Sequence, residues 1–270
     1  MKFAIYLPTI RDFADVRVLA DLAVKAEARG WDGCFIWDVL CPSDAQWSGP
    51  AVDSWVALGV IASRTERIRL GTMVTPMSRR RPWKLARETL TIDHLSRGRL
   101  VLGVGLGDPS DLAGEILDAK VRAEMLDEGL ELLQKLWTGQ RVAHSGKHYQ
   151  FDSPGFLPSA LQAPRIPVWV GGSWPHRQPL KRAVRWDGYF PAASDAFLEP
   201  STYREIASEI SALRGDALPF DLVVGTTMDG ASPSMEDWFE YELAGATWWL
   251  HEVDTVEAAL DRIDAGPPQR

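Results

Sequence analysis

A glycine-rich turn followed by a predicted helix is the feature of the sequence best suited to chemistry. Gly171, Gly172 and Ser173 end an apolar run and precede a helical pattern over 175–186. Backbone N–H groups and a hydroxyl at a helix N-terminus bind anions. The turn therefore predicts a phosphate site that could hold a cofactor.

A second glycine turn contains Gly105, Gly107 and Asp108. Asp108 stands where the dinucleotide-binding pattern requires its last glycine, and no helix follows at once. A tight turn and a contact with a cofactor stay equally open from the residues alone.

Metal and hydrolytic chemistry are disfavoured by the residue types. The two cysteines, Cys34 and Cys41, are too few for a thiolate cluster, and no two histidines stand at ligand spacing within one element. No Gly-x-Ser-x-Gly elbow is present, so a serine hydrolase is also disfavoured.

The elements that position these turns alternate between strands and helices. Most strand-like runs are followed by a helical pattern, and the pattern predicts an α/β fold, a closed (β/α)8 barrel, with a doubly wound sheet as the alternative. The eight runs are 2–7, 33–37, 67–74, 99–104, 167–171, 187–190, 221–226 and 246–250. The segment 139–166 interrupts the rhythm and predicts a short hairpin before the fifth strand.

The carboxyl ends of the strands meet at one face of such a barrel, and active sites lie there. This face would contain Trp37, Trp174 and Trp249 as substrate-pocket candidates, together with the two glycine turns and Thr226-Thr227. Because side chains alternate along a strand, at most one of Trp248 and Trp249 points into the barrel. Glycines and aromatic rings suit a bulky aromatic cofactor.

Composition predicts one enzyme-sized domain over 1–265 with a tail at 266–270. The net charge of −8 disfavours non-specific binding to nucleic acid or to an anionic membrane. No apolar run suits a membrane helix, and the N-terminus does not resemble a signal peptide, so we expect a cytoplasmic protein that acts on small molecules. The run Arg79-Arg80-Arg81 could attract a phosphate, although a solvated charge run is the favoured interpretation.

Four segments together resemble the bacterial luciferase-like family of flavin- and F420-dependent oxidoreductases. They are Ala26–Gly33, Thr65–Pro76, Ala86–Asp108 and Pro167–Ser173, with Asp187-Gly188 beyond. The most specific part is Leu-Gly-Thr-x-Val-x-Pro followed by Ser-Arg-Gly-Arg-Leu-x-Leu-Gly-Val-Gly-x-Gly.

The resemblance implies a TIM barrel that holds FMN or F420 at the carboxyl ends of its strands, usually in a homodimer. It implies a non-proline cis peptide at Met73–Val74, against the isoalloxazine ring. On the matching positions, Gly105, Gly107 and Asp108 would line the ring. The turn of Gly171, Gly172 and Ser173 would lie on the phosphate side.

The sequence departs from the family at Val39, where a histidine often follows the aspartate that corresponds to Asp38. If a proton donor is needed, Asp38, Asp108 or a water molecule would have to supply it. These two aspartates are therefore the catalytic candidates.

Three functions stay open at this point. The favoured one is a monooxygenase that uses reduced FMN and O2 on a small organic substrate, with a separate flavin reductase as a candidate partner that would supply the reduced FMN. The second is an F420-dependent dehydrogenase or reductase, which the arginine run supports modestly because F420 has an acidic tail. The third is a non-catalytic flavin-binding protein, suggested by Val39.

Overall fold

Eight parallel strands form a closed barrel in the computed structural model, which describes residues 1–40, 48–111, 114–192, 197–215, 219–225 and 237–268. The order around the barrel is β1-β10-β9-β8-β7-β4-β3-β2, and β5 and β6 form a separate antiparallel hairpin. The strands are β1 (Lys2–Leu7), β2 (Gly33–Ile36), β3 (Arg69–Pro76), β4 (Leu100–Gly105), β5 (Val142–Ser145), β6 (Gln150–Ser153), β7 (Val168–Ser173), β8 (Gly188–Ala192), β9 (Asp221–Gly225) and β10 (Trp248–Glu252). The predicted barrel and its hairpin before the fifth barrel strand are confirmed.

Helices lie outside the barrel and are α1 (Val16–Ala28), α2 (Ser54–Arg64), α3 (Pro82–Leu95), α4 (Ala119–Leu136), α5 (Arg177–Ala183), α6 (Pro200–Arg214), α7 (Trp238–Leu243) and α8 (Val256–Ala265). Local sequence signals set several of their ends. The Asp53 carboxylate accepts a hydrogen bond from the Val56 amide at 2.8 Å and caps α2, and Pro82 opens α3. Within the described ranges, no helix is both long and apolar enough to cross a membrane.

The inside of the barrel is filled by alternate strand residues, which we call the inner layer. Its buried members are Ala4, Tyr6, Ile10, Phe35, Trp37, Met73, Val101, Trp169, Val223, Trp248 and Leu250, with Val39, Val74 and Phe190 partly buried against them. Glycines on neighbouring strands leave room for the large rings. A Cβ atom at Gly188 would collide with Trp169, and one at Gly225 would collide with Phe190.

A buried arginine ties the amino-terminal side of β4 to the segment before β3. The Arg99 guanidinium donates to the carbonyls of Ala62, Thr65, Ile68 and Ser96 and to the Thr65 hydroxyl. These bonds occupy backbone acceptors at the helix end that would otherwise lack partners. Arg99, part of the Ser-Arg-Gly-Arg-Leu motif, thus supports the barrel far from its mouth.

Candidate functional site

The end of β3 contains the cis peptide bond predicted between Met73 and Val74. The Tyr6 hydroxyl donates a hydrogen bond to the carbonyl oxygen of Met73, which holds this bond against β1. The Val74 side chain lies over two glycines: an added Cβ atom would come within 2.6 Å of it at Gly105 and 2.9 Å at Gly171. Val74 therefore forms a partly exposed apolar bulge at the mouth of the barrel.

The turn after β4 is fixed by its backbone. Gly107 has φ = 77°, a conformation that favours glycine, and the Arg122 guanidinium donates to the carbonyls of Leu106 and Gly107 at 2.7 and 3.0 Å. Asp108 is exposed, and its carboxylate accepts from the Ser110 amide at 2.7 Å. Asp108 stabilises the turn in this structure, and its catalytic role stays a prediction.

The glycine turn at the end of β7 differs from the predicted arrangement. Gly171, Gly172 and Ser173 are the last three residues of β7, and the following helix starts only at Arg177. A Cβ atom at Gly172 would collide with Pro179, so this glycine is needed for packing against α5. The helix predicted over 175–186 is shorter, Arg177–Ala183, so Ser173 precedes its start by four positions instead of two. Contact between Ser173 and a phosphate stays a prediction.

Asp38 lies at the centre of a buried ion-pair network. Its side chain is 2% exposed, and the Arg80 guanidinium contacts both carboxylate oxygens at 2.7 and 2.9 Å. Arg79 donates to the carboxylate at 3.1 Å, and the Thr75 hydroxyl at 2.7 Å. Donors occupy both carboxylate oxygens of this buried side chain, an arrangement that favours a structural role, and the catalytic role of Asp38 stays a prediction.

The same network corrects the interpretation of the arginine run as a solvated or tail-binding segment for Arg79 and Arg80, whereas Arg81 is exposed. Arg79 is only 5% exposed at its side chain and also pairs with Asp111, while Asp111 accepts from the Leu40 amide at 2.9 Å. Arg80 is 18% exposed and pairs with Asp38. The ends of β2, β3 and β4 are thereby joined into one polar assembly, and the modest support for F420 from this run is reduced to Arg81.

The three candidate tryptophans lie in different environments. Trp37 belongs to the inner layer, 6.3 Å between ring centroids from Tyr6. Trp249 packs edge-on against Tyr241 of α7 at 5.1 Å, so its prediction as a pocket residue is wrong; Trp248 is the inward residue of the pair. Trp174 packs against the core between the barrel and its helices, and not against the inner layer. The guanidinium carbon of Arg177 lies 4.1 Å from the centroid of its ring.

Two inward-facing residues at the mouth were missed from the sequence, Tyr6 and Glu252. They are register partners on adjacent strands β1 and β10. Burial, followed by the repulsion from Asp254, raises the pKa of Glu252 to about 8, although a hydrogen bond with Trp37 partly opposes this. Burial also raises the pKa of Tyr6, with a further contribution from Glu252. Strict alternation from Trp248 through Leu250 would have indicated Glu252.

Metal chemistry has no support from the part of the chain that the structure describes. No group of three or more His, Cys, Asp or Glu side chains there is arranged to hold a metal ion. Cys34 is buried in β2, and burial raises the pKa of its thiol to about 12. Cys41 and the predicted mouth residues Thr226-Thr227 lie outside the described residues.

The fold and the mouth define a (β/α)8 barrel with a cis peptide bulge, and comparisons with known proteins identify its family. The model of the luciferase-like monooxygenase family matches residues 1–228. The chain therefore belongs to this family, a class of oxidoreductase enzymes, as predicted from the sequence. Both predicted cofactors, FMN and F420, fit the family.

Individual relatives differ in the activity that their names give. An F420-dependent glucose-6-phosphate dehydrogenase of Nakamurella multipartita is 36% identical over 196 residues, which cover 69% of this chain and 54% of the relative. An F420-dependent secondary alcohol dehydrogenase has a TM-score of 0.78 at 15% identity, with 98% of each chain covered. A monooxygenase from Streptomyces bottropensis has a TM-score of 0.75 at 20% identity, covering 98% and 97%. The chain spans about half the length of the first of these relatives, and the two structures show a shared fold.

Proposed function

We propose that the chain is an F420-dependent oxidoreductase that moves a hydride between the deazaflavin and a small alcohol or carbonyl compound. The observation that carries the proposal is the 36% identity to an F420-dependent dehydrogenase over 196 residues, within a chain of the same family. The monooxygenase function favoured from the sequence alone is supported by the similarity of fold to the Streptomyces bottropensis monooxygenase, which is 20% identical.

The residues at the mouth fit a flat ring cofactor. Gly105 and Gly171 leave room for the Val74 side chain, which lies over them. Phe190 and Trp37 add aromatic surface in the same layer. Such a surface stacks well against one face of an aromatic ring. Val74, Phe190 and Trp37 are the residues that would bear the ring.

The chain positions this surface, and the cofactor supplies the hydride chemistry. Tyr6 fixes the Met73 carbonyl, and the Asp38 network fixes the loops after β2, β3 and β4. Gly107 and Ser173 stay predicted contacts of the cofactor. A homodimer also stays a prediction, and a separate flavin reductase belongs only to the monooxygenase alternative.

A titration of the purified chain with F420, FMN and FAD, oxidised and reduced, tests the proposal. Tryptophan fluorescence is a suitable signal, because Trp37 is in the inner layer. We expect F420 to bind more tightly than either flavin. Tighter binding of reduced FMN would favour the monooxygenase. Cofactor binding without turnover on a panel of alcohols and sugar phosphates would favour a non-catalytic protein. If none of the three cofactors bound, the oxidoreductase, the monooxygenase and the non-catalytic flavin-binding protein would all be overturned.

A further inference from the structure

Glu252 is the last residue of β10, at the carboxyl end of the barrel. Trp248 and Leu250 on the same strand belong to the inner layer, whereas Trp249 packs outside the sheet. Alternation along the strand therefore turns Glu252 inward as well. Its register partner on β1 is Tyr6, which is also in the inner layer.

The described surroundings of Glu252 favour a neutral carboxyl group. The titratable groups that act on it are Tyr6 on β1 and Asp254 after β10, and the Trp37 side chain at the end of β2 forms a hydrogen bond with it. The Tyr6 hydroxyl is directed to the carbonyl of Met73. Burial and Asp254 together raise the Glu252 pKa to about 8, so the carboxyl retains its proton at neutral pH.

The two carboxyl groups that the sequence offered as catalytic candidates, Asp38 and Asp108, are less suited to proton exchange. Asp38 is closed by Arg79 and Arg80, and Asp108 is exposed and caps a turn. Val39 stands where the family often has a histidine. A group that exchanges protons during catalysis should have a pKa near the working pH and lie beside the reacting molecule.

We propose that Glu252 is the proton-exchanging residue of this mouth and acts on the oxygen atom of the substrate. This inference rests on the proposed function. In the oxidation direction, the Glu252 carboxylate takes the hydroxyl proton, the C–H bond breaks, its electron pair leaves as hydride for an oxidised deazaflavin, and the C=O bond forms. In reduction, the carboxyl returns its proton to the oxygen as the carbon gains a hydride from the reduced deazaflavin.

The first part of the test needs no cofactor. Infrared difference spectra of the wild type and Glu252→Gln should be collected from pH 5 to pH 10. We expect a protonated-carboxyl band that disappears around pH 8 in the wild type and is missing from Glu252→Gln. Asp254→Asn, which removes a repelling charge, should keep the band and move its loss to lower pH. A wild-type spectrum without such a band, or the same band in Glu252→Gln, would overturn the proposal.

Thermal unfolding gives a second readout. The folded pKa is raised, so the protonated carboxyl contributes stability that is fully present below its unfolded pKa of about 4.3 and is lost as the pH rises through about 8. The melting temperature of the wild type should fall relative to that of Glu252→Gln across this window. Parallel curves would contradict a neutral Glu252 in the folded protein.

Turnover then separates this inference from the proposed function. With F420 bound, Glu252→Gln should lose roughly 10²–10⁴-fold in kcat while F420 affinity stays within a few-fold, and Glu252→Asp should recover part of the rate. For the wild type, oxidation should accelerate and reduction should slow as the pH rises through about 8. Unchanged kcat in Glu252→Gln overturns the role of Glu252 alone. Failure of the wild type to bind F420 overturns the proposed function first.

Discussion

At the scale of single residues, Val74 and the glycines beneath it give the mouth its shape. An added Cβ at Gly105 would lie 2.6 Å from Val74, closer than side-chain atoms approach. Gly105→Ala should therefore displace Val74, destabilise the fold by about 1–3 kcal/mol and weaken cofactor binding. Chemical denaturation and a cofactor titration would measure both effects.

Gly59→Ala is the matched control for this change. Gly59 lies within α2, and an added Cβ would find its nearest neighbour, Ile92, at an ordinary 3.7 Å. Its stability should be unchanged or raised by up to ~1 kcal/mol. Equal unfolding free energies and cofactor affinities for the two variants would show that the position of Val74 does not depend on the missing side chain at Gly105.

Asp38 is a structural residue in this account. Asp38→Asn removes the carboxylate charge with which Arg79 and Arg80 both pair. Removing one partner of a buried ion pair lowers the free energy of unfolding by about 3–5 kcal/mol. Asp152→Asn breaks an exposed pair with Arg141 and should cost less than about 1 kcal/mol. Free energies of unfolding would measure both. If Asp38→Asn lost activity at full stability, the catalytic assignment would return.

His251 gives the fold an acid-sensitive group on the outer side of β10. Burial and the Arg262 charge lower its pKa to about 4, and its Nδ1 atom has no hydrogen-bond partner among the described residues. The lowered pKa means that stability is fully present above about pH 6.5 and is lost as the pH falls through about 4.

His251→Gln should flatten the loss of melting temperature over this acid window. The exposed His176→Gln, at the start of α5, is the control and should follow the wild-type curve. Identical acid slopes for the wild type and His251→Gln would show that His251 is not the source of the sensitivity.

At the scale of elements, the β5–β6 hairpin is joined to α4 through Glu128. Its carboxylate accepts from the amides of His148 and Tyr149, each at 2.8 Å, and contacts the His144 ring at 3.0 Å. Burial opposes the charge, but the hydrogen bonds outweigh it and lower the Glu128 pKa. Glu128 therefore fixes the position of the hairpin.

Glu128→Ala should release the hairpin and cost about 1–3 kcal/mol, because two amides lose their acceptor. Hydrogen exchange of the amides in residues 142–153 should accelerate more than exchange in the barrel strands. Glu131→Ala, an exposed residue of α4, should leave hairpin exchange unchanged. Uniform acceleration across the molecule would instead indicate that the hairpin and barrel unfold together.

The elements also show what the sequence can predict. Apolar runs and glycine turns located the barrel strands, because hydrophobic patterning and turn residues are local properties. The inward direction of Trp248 instead of Trp249 depends on strand register, and the burial of Arg79 and Arg80 depends on Asp38, about 40 positions earlier. Contacts of that kind are set by the closed barrel and have no local signal.

At the scale of the whole molecule, closure of the barrel assembles the site. Tyr6 at one end of the chain and Glu252 near the other become neighbours only because β1 pairs with β10. The family was predictable from four sequence segments, and the cis bond followed from that resemblance. The acidic residue at the mouth, Glu252, was not predicted, because β10 was expected to end at residue 250 and in fact extends to Glu252.

A crystal structure of the chain with oxidised F420 tests the central claim most directly. We predict that the deazaflavin ring lies against Val74 at the carboxyl end of the barrel, with Glu252 on the side open to substrate. A ring bound elsewhere, or bound at the mouth with Glu252 beyond reach of the substrate position, would contradict the account.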